Sequence, residues 1–199
     1  MARPRAFDSD ETLRTVMHVF RRQGYAATSV SDLTAATGLS TSSLYGGFGD
    51  KAALFRAALD AYVVEVVEAR LDAHAGPEAR LEDLEQLLLG LFELPYADGH
   101  GCLVVNTATE LGSQHPVAGA GVRRGLGLVE ERFRAVLTRE LGHDRDAAGL
   151  MLLYEGLLGL MRAGLETPEH AEAIRTHLRT LTTRRDHRRD THTTHEEQP

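Results

Sequence analysis

Tryptophan is absent from the 199 residues, cysteine occurs once at Cys102, and lysine occurs once at Lys51. A single cysteine excludes an internal disulfide framework. No run of about 18 uncharged apolar residues occurs, which argues against a membrane span. The basic start "MARPRAF" leads into no apolar stretch, so no secretory signal is read there and the expected compartment is the cytoplasm. The short signatures of catalysis are also missing: there is no G-x-x-x-x-G-K-[ST], no H-E-x-x-H, no G-x-S-x-G and no C-x-x-C. No enzymatic activity, cofactor or metal site is expected. Convincing strand alternation is lacking as well, and no internal repeat is visible.

What is present is an ordinary globular composition, 42% apolar and 26% charged. The net charge of −7 argues against a uniformly basic nucleic-acid binder, but the charge is uneven. Residues 1–56 hold seven Lys and Arg against five Asp and Glu, whereas residues 57–199 hold fifteen against twenty-four. A mildly basic head on an acidic body is suited to a head that meets a polyanion.

Helical periodicity fills nearly every long segment, which predicts an all-α fold. Leu13, Val16, Met17 and Phe20 make one apolar face of a first helix, Ser9 to Gln23, with Gly24 as its stop. Ser29 caps a short helix that Gly38 ends, and Ser40 caps another. A long helix follows from Asp50 to about Ala73, then segments from about Glu78 to Glu93, Cys102 to Gly112, and Pro116 to Leu141. Residues 145–165 are apolar on nearly all sides, so this helix must be covered all round. Pro168 opens a last helix to about Thr182, and the tail from 184 to 199 has no apolar face and is expected to be disordered. The expected division is 1–52, 53–183 and the tail 184–199.

The two short helices, Ser29–Thr37 and Ser40–Tyr45, meet at a tight turn through Gly38. That is the layout of a helix-turn-helix, whose second helix enters the major groove of DNA. The second helix begins Thr41-Ser42-Ser43, small hydroxyl side chains that let its N-terminus approach a phosphate closely. The stretch "GYAATSVSDLTAATGLSTSSLYGGFGDKAALF" resembles the N-terminal domain of the tetracycline-repressor-type (TetR-like) transcriptional regulators. The matching positions are Gly24-Tyr25, Thr28-Ser29-Val30, Asp32-Leu33, Gly38-Leu39-Ser40, Leu44-Tyr45, Phe48-Gly49, and Lys51 with Leu54-Phe55. The likeness covers about residues 7 to 56, and "GCLVVNTATELG" resembles one subgroup of the family further on. Two features depart from the family pattern. Gly46-Gly47 stand where the family often has an aromatic or histidine pair that contacts the DNA backbone. Thr34 and Thr37 stand where alanine is usual.

The resemblance implies a three-helix DNA-binding head and a larger helical body that dimerises and takes a small molecule. The implied partners are a palindromic double-stranded DNA operator, a second copy of the chain and a small, mostly hydrophobic ligand that releases a repressor. Ser29, Ser40, Thr41, Ser42, Ser43, Tyr45, Gly46, Gly47 and Lys51 are the expected DNA contacts. Gly46 and Gly47 read first as helix terminators and second as a site of close backbone approach. Lys51, in a first helical turn where the dipole disfavours a cation, makes sense opposite a phosphate. Tyr62, Phe92, Cys102, Asn106, Met151 and Tyr154 are the candidate ligand lining. Thr107, Thr109 and Glu110 read equally as pocket groups or as an outer helix face. Cys102 reads as a small buried hydrophobe or, alternatively, as the thiol of an electrophile- or redox-sensing repressor. His187, His192 and His195 in the tail read as solvated rather than metal-binding.

Overall fold

Asp8 sits in extended conformation, and its carboxylate accepts the N–H groups of Asp10 and Glu11, starting helix α1 (Ser9–Gln23). The cap satisfies two of the donors that every helix N-terminus leaves open. In this computed structural model residues 8–93 and 98–196 are described. Helices α2 (Val30–Thr37), α3 (Thr41–Phe48) and α4 (Lys51–Tyr62) follow. A π-helical segment, Val63–Glu68, continues α4 into α5 (Ala69–His74). The remaining helices are α6 (Leu81–Leu89) with a short 3₁₀ turn, Gly90–Phe92, then α7 (Leu103–Leu111), α8 (Gly119–Leu141), α9 (Ala147–Ala163) and α10 (Pro168–Glu196). The fold is all-α, as the periodicity predicts, and the described residues form no strand.

The chain forms two units. The first holds the described residues through Ala69 together with His100–Gly127. Its core joins Val16 and Phe20 of α1 to Leu33 of α2, Leu44 of α3, and Leu54, Phe55 and Leu59 of α4, each at most 1% exposed. The Phe20 and Phe55 rings meet edge to face with centroids 4.8 Å apart. Burying one such side chain contributes roughly 1.5–3 kcal/mol, so this cluster fixes how α1 and α4 cross. Phe48, at the end of α3, is only half-buried, and Leu44 takes the central place. The π segment falls on four valines among six residues, side chains that crowd an α-helical backbone. In the first unit α8 comes close to it through glycines. A Cβ on Gly125 would lie 2.9 Å from Val104 and 3.2 Å from Val63, and one on Gly121 would lie 2.6 Å from Leu59.

The second unit holds the described residues of Arg70–Gly99 and those from Leu128 onward. Leu81, Leu84 and Leu88 of α6 are buried in this unit, as are Phe133 and Leu137 of α8, Leu150 and Leu158 of α9, and Leu178 of α10; α6 packs against α10. Helix α9 is not covered on every side: Leu152 is 76% exposed, and Gly156 and Gly159 beside it are exposed. Helix α10 does not stop near Thr182 but continues through the expected disordered tail to Glu196. Its physical anchor is Arg185, which is 9% exposed and pairs with Glu140 at 2.7 Å and Glu82 at 3.0 Å. Charge pairing, absent from an apolar-face criterion, holds this stretch down. The side chains of the tail histidines, and residues 94–97 altogether, lie outside what the structure describes.

Two stability measurements follow. Gly127 has open space around its missing Cβ, so Gly127→Ala should raise stability by about 0.5–1 kcal/mol through helix propensity alone. Gly125→Ala should lower it by about 1–3 kcal/mol, because the β-branched neighbours cannot yield. Urea denaturation of both variants checks the opposite signs. Arg185→Ala should cost about 3 kcal/mol, because it removes the ion pair with Glu140, whose side chain is buried. Arg184→Ala removes only an exposed partner of Asp146 and should cost well under about 1 kcal/mol.

Candidate nucleic-acid interface

The sequence S-V-S-D builds the entry to α2. The Ser29 hydroxyl accepts the Asp32 N–H at 3.1 Å and donates to the Asp32 carboxylate at 2.7 Å, while the Ser29 N–H donates to the same carboxylate at 2.8 Å. This reciprocal box satisfies both ends of the turn. The Ser29 hydroxyl and its backbone N–H hold the Asp32 carboxyl below the ordinary carboxylate range. Because the folded value is depressed, the cap's stabilisation is full above the ordinary carboxylate pKa and fades as pH falls through the lower folded one.

Gly38, at φ +67°, ends α2 in the left-handed region and lets the chain turn into α3. Ser40 caps α3: its Oγ accepts the Ser43 N–H at 3.1 Å, donates to Ser43 Oγ at 2.9 Å and lies 3.0 Å from Ser42 Oγ. Three hydroxyls thus form one exposed cluster at the start of the helix. Thr41, also exposed, takes no part in it and has no intramolecular side-chain hydrogen bond among the described residues. The turn therefore presents one uncommitted hydroxyl beside three that hold one another.

Gly46 and Gly47 lie inside α3, with ordinary helical backbone angles. The terminator is Gly49, at φ +97°, so the reading of Gly46 and Gly47 as helix ends is corrected. A Cβ on Gly46 would meet nothing within 4 Å, so packing does not require glycine there either. Neither helix termination nor internal packing accounts for the glycine at 46, whose backbone is exposed. Tyr45 is half-buried. Its hydroxyl is shielded from solvent, has no partner among the described residues, and is pushed up in pKa by burial and then by Asp50 and Tyr25.

Asp50 caps α4 by accepting the Ala53 N–H at 2.7 Å, and Lys51 is the first residue of that helix. The Lys51 ammonium lies 4.6 Å from the centroid of the Tyr25 ring. A cation on a ring face is attracted by the quadrupole, by about 0.5–1 kcal/mol at an exposed site. Tyr25 itself is stacked near Phe55, centroids 4.8 Å apart. The sequence contained Gly24-Tyr25 only as part of a pattern; the ring's service to Lys51 depends on a contact across twenty-six positions.

The candidate ligand residues divide between the units. Tyr62, Cys102 and Asn106 belong to the first, and Phe92, Met151 and Tyr154 to the second. Cys102 is 1% exposed, and burial pushes its thiol up, with the Val105 N–H and the Tyr62 hydroxyl pulling the other way. A reactive sensor thiol needs access and a lowered pKa, and Cys102 has neither. The Asn106 amide nitrogen is committed to the carbonyls of His100 at 2.8 Å and Arg21 at 3.3 Å. In the second unit Tyr154 is buried against Phe133, centroids 6.2 Å apart. Phe92 lines a separate polar groove with Glu85, Gln86 and Arg175. An apolar groove between α9 and α10 is lined by Leu152, Gly156, Leu160 and Ile174, and neither Met151 nor Tyr154 reaches it. The described residues hold no cluster of His, Cys, Asp and Glu suited to a metal, and no helix long and apolar enough to cross a membrane.

Residues 13–58 match the family model of bacterial regulatory proteins, tetR family. The HTH-type transcriptional repressor ComR of Escherichia coli (strain K12) is 36% identical over 113 residues, which is 55% of this chain and 53% of ComR. The match thus spans about half the length of that relative. A TetR transcriptional regulator from Chloroflexus aurantiacus superposes with a TM-score of 0.73 at 28% identity, covering 87% of this chain and 93% of that one. A cysteine mutant of the TetR family regulator CifR, solved with 26bp double-strand operator DNA, superposes with a TM-score of 0.71 at 28% identity, covering 89% and 98%. The helix-turn-helix geometry, the family model over residues 13–58 and the likenesses to solved TetR regulators agree: residues 13–58 form a tetR-family DNA-binding domain, and the chain is TetR-like in fold.

Proposed function

We propose that this protein is a transcriptional repressor that binds a palindromic DNA operator as a homodimer and is released by a small, mostly hydrophobic ligand. The observation that carries the DNA-binding part is the exposed start of α3. Its cap is built, its first-turn hydroxyls are small, one of them is uncommitted, and Lys51 stands at the start of the next helix on its aromatic support. The α3 N-terminus and Lys51 are cast as phosphate and base contacts, with Thr41 reading sequence and Ser29, Ser40, Ser42 and Ser43 positioning; the shielded Tyr45 hydroxyl is not assigned a DNA contact. The CifR complex with operator DNA supports the same role for a similar fold. The head is assigned to residues 1–52 and the receiving body to residues 53–183.

The second copy is assigned to the open face of α9 and α10. An exposed Leu152, two exposed glycines and the apolar groove against Ile174 are suited to a close-packed, self-complementary helical interface. A dimer brings two copies of α3 to one duplex, which is why the operator is expected to be two-fold symmetric. The ligand acts by binding better to a conformation in which the two α3 helices are mis-spaced, and it weakens operator binding by that difference in affinity. Tyr62 and Cys102, buried on α4 and at the start of α7, are the apolar groups assigned to it in the first unit.

An electrophoretic shift with the DNA upstream of the protein's own gene tests the assignment; binding no tighter than to unrelated DNA of equal length would sink it. Gly46→Ala is the sharper mutation. It should stabilise the fold by about 0.5–1 kcal/mol, as any alanine does in an open helical position. It should nevertheless weaken DNA binding several-fold, because a methyl group then stands between backbone and duplex. Equal or tighter DNA binding by the variant would remove the close-approach role. For the interface, Leu152→Glu should convert a dimer to a monomer in light scattering at micromolar concentration, and a wild-type monomer under those conditions would refute the assignment.

A further inference from the structure

The carboxylate of Glu110, at the end of α7, grips the turn between α1 and α2. One oxygen accepts the Tyr25 N–H at 2.9 Å and the other accepts the Ala26 N–H at 2.7 Å. The turn is shaped to admit it: Gly24 has φ +84°, and a Cβ there would lie 2.7 Å from the nearer carboxylate oxygen. This is one of three polar contacts that α7 and the residue before its cap make with the same short stretch. The Arg21 side chain, 4% exposed, donates to the Gly101 carbonyl at 2.5 Å, and Asn106 donates to the Arg21 carbonyl. Residues 21 to 26 are therefore held along the whole length of α7.

Tyr25 is the residue whose ring carries Lys51. Its N–H is fixed by Glu110, its ring lies tilted against Phe55 and near Phe20, and the His115 ring is 6.3 Å away. The ring face occupies one side of the ammonium and leaves the donors on the other side for a phosphate. We infer that Glu110 is a positioning residue for DNA binding. It fixes the backbone of Tyr25, Tyr25 fixes the ammonium of Lys51, and a displacement of α7 that withdraws Glu110 removes the Lys51 phosphate contact. The inference rests on the DNA-binding role proposed above, and it names the group through which the α7 segment is coupled to the head. Glu110 thus belongs to neither role open to it in the sequence, since it lines no described cavity and is not an idle outer-face residue.

Lys51 is the chain's one lysine, so lysine carrying 13C at its ε carbon alone gives a single ε-methylene signal that reports the ring beneath it. Full-length wild type, Glu110→Gln and Tyr25→Leu are compared by NMR, with circular dichroism confirming that each is folded. The wild-type signal should be displaced upfield by the Tyr25 ring, and Glu110→Gln should carry it most of the way to the Tyr25→Leu value. The same proteins, with Lys51→Ala and the Glu110→Gln/Lys51→Ala double variant, are titrated with a mixed-sequence 30-base-pair duplex at several salt concentrations. Glu110→Gln and Lys51→Ala should each lower the slope of log K against log salt by about 1, and the double variant should lower it no further. An unmoved Lys51 signal in folded Glu110→Gln, or slope losses that add in the double variant, would overturn the inference. If the wild type binds no duplex even at low salt, the DNA-binding reading falls, and the Lys51 signal still decides whether Glu110 sets the position of the ammonium.

Discussion

The first unit is organised around the contact of Phe20 with Phe55, to which Tyr25 is added. Two fully buried rings lock the crossing of α1 and α4, so the turn leaving α1 can go in only one direction. That turn carries Tyr25 onto the same cluster, and the outer face of its ring becomes the seat of Lys51. The core and the surface around Lys51 are therefore continuous: a hydrophobic contact decides where a surface cation stands. The small apolar plug of Leu33 and Leu44 does the same for α2 and α3, which are too short to be stable alone and depend on tertiary packing.

Around this cluster the polar contacts are few and specific. Capping serines and aspartates begin α1, α2, α3 and α4, and each supplies about 1 kcal/mol of the local preference for a helix start. The exposed ion pairs, such as Arg14 with Glu65 and Arg124 with Glu68, add little by comparison. In the second unit the buried Arg185 carries the main charge pairing and extends α10. The π segment after Tyr62 lies where glycines of α8 approach most closely, so a change in side-chain volume there would be felt by the backbone of three elements.

Much of this was legible in the sequence because it is local. The caps at Ser29 and Ser40, the turn at Gly38 and the apolar face of α1 depend on neighbours within a few positions. Boundaries moved where a competing local feature intervened: Gly49 rather than Gly46 or Gly47 ends α3, because only Gly49 adopts a positive φ. The continuation of α10 past Thr182 was not legible, since the anchor at its start, Arg185 with Glu140, joins residues forty-five positions apart. The cation–π seat of Lys51 and the grip of Glu110 on Tyr25 were not legible, since each joins residues far apart in the chain. The candidate ligand residues were chosen by type alone, and type does not say that Asn106 is already engaged by two carbonyls.

The central claim is that α3 reads DNA sequence through its exposed first turn. Selection of bound fragments from a randomised duplex pool, repeated with wild type and Thr41→Ala, tests this most directly. The account predicts that wild type enriches a two-fold-symmetric site and that Thr41→Ala enriches the same spacing with relaxed preference at one position in each half. A wild-type pool that stays random after several rounds, or an identical site from Thr41→Ala, would contradict it.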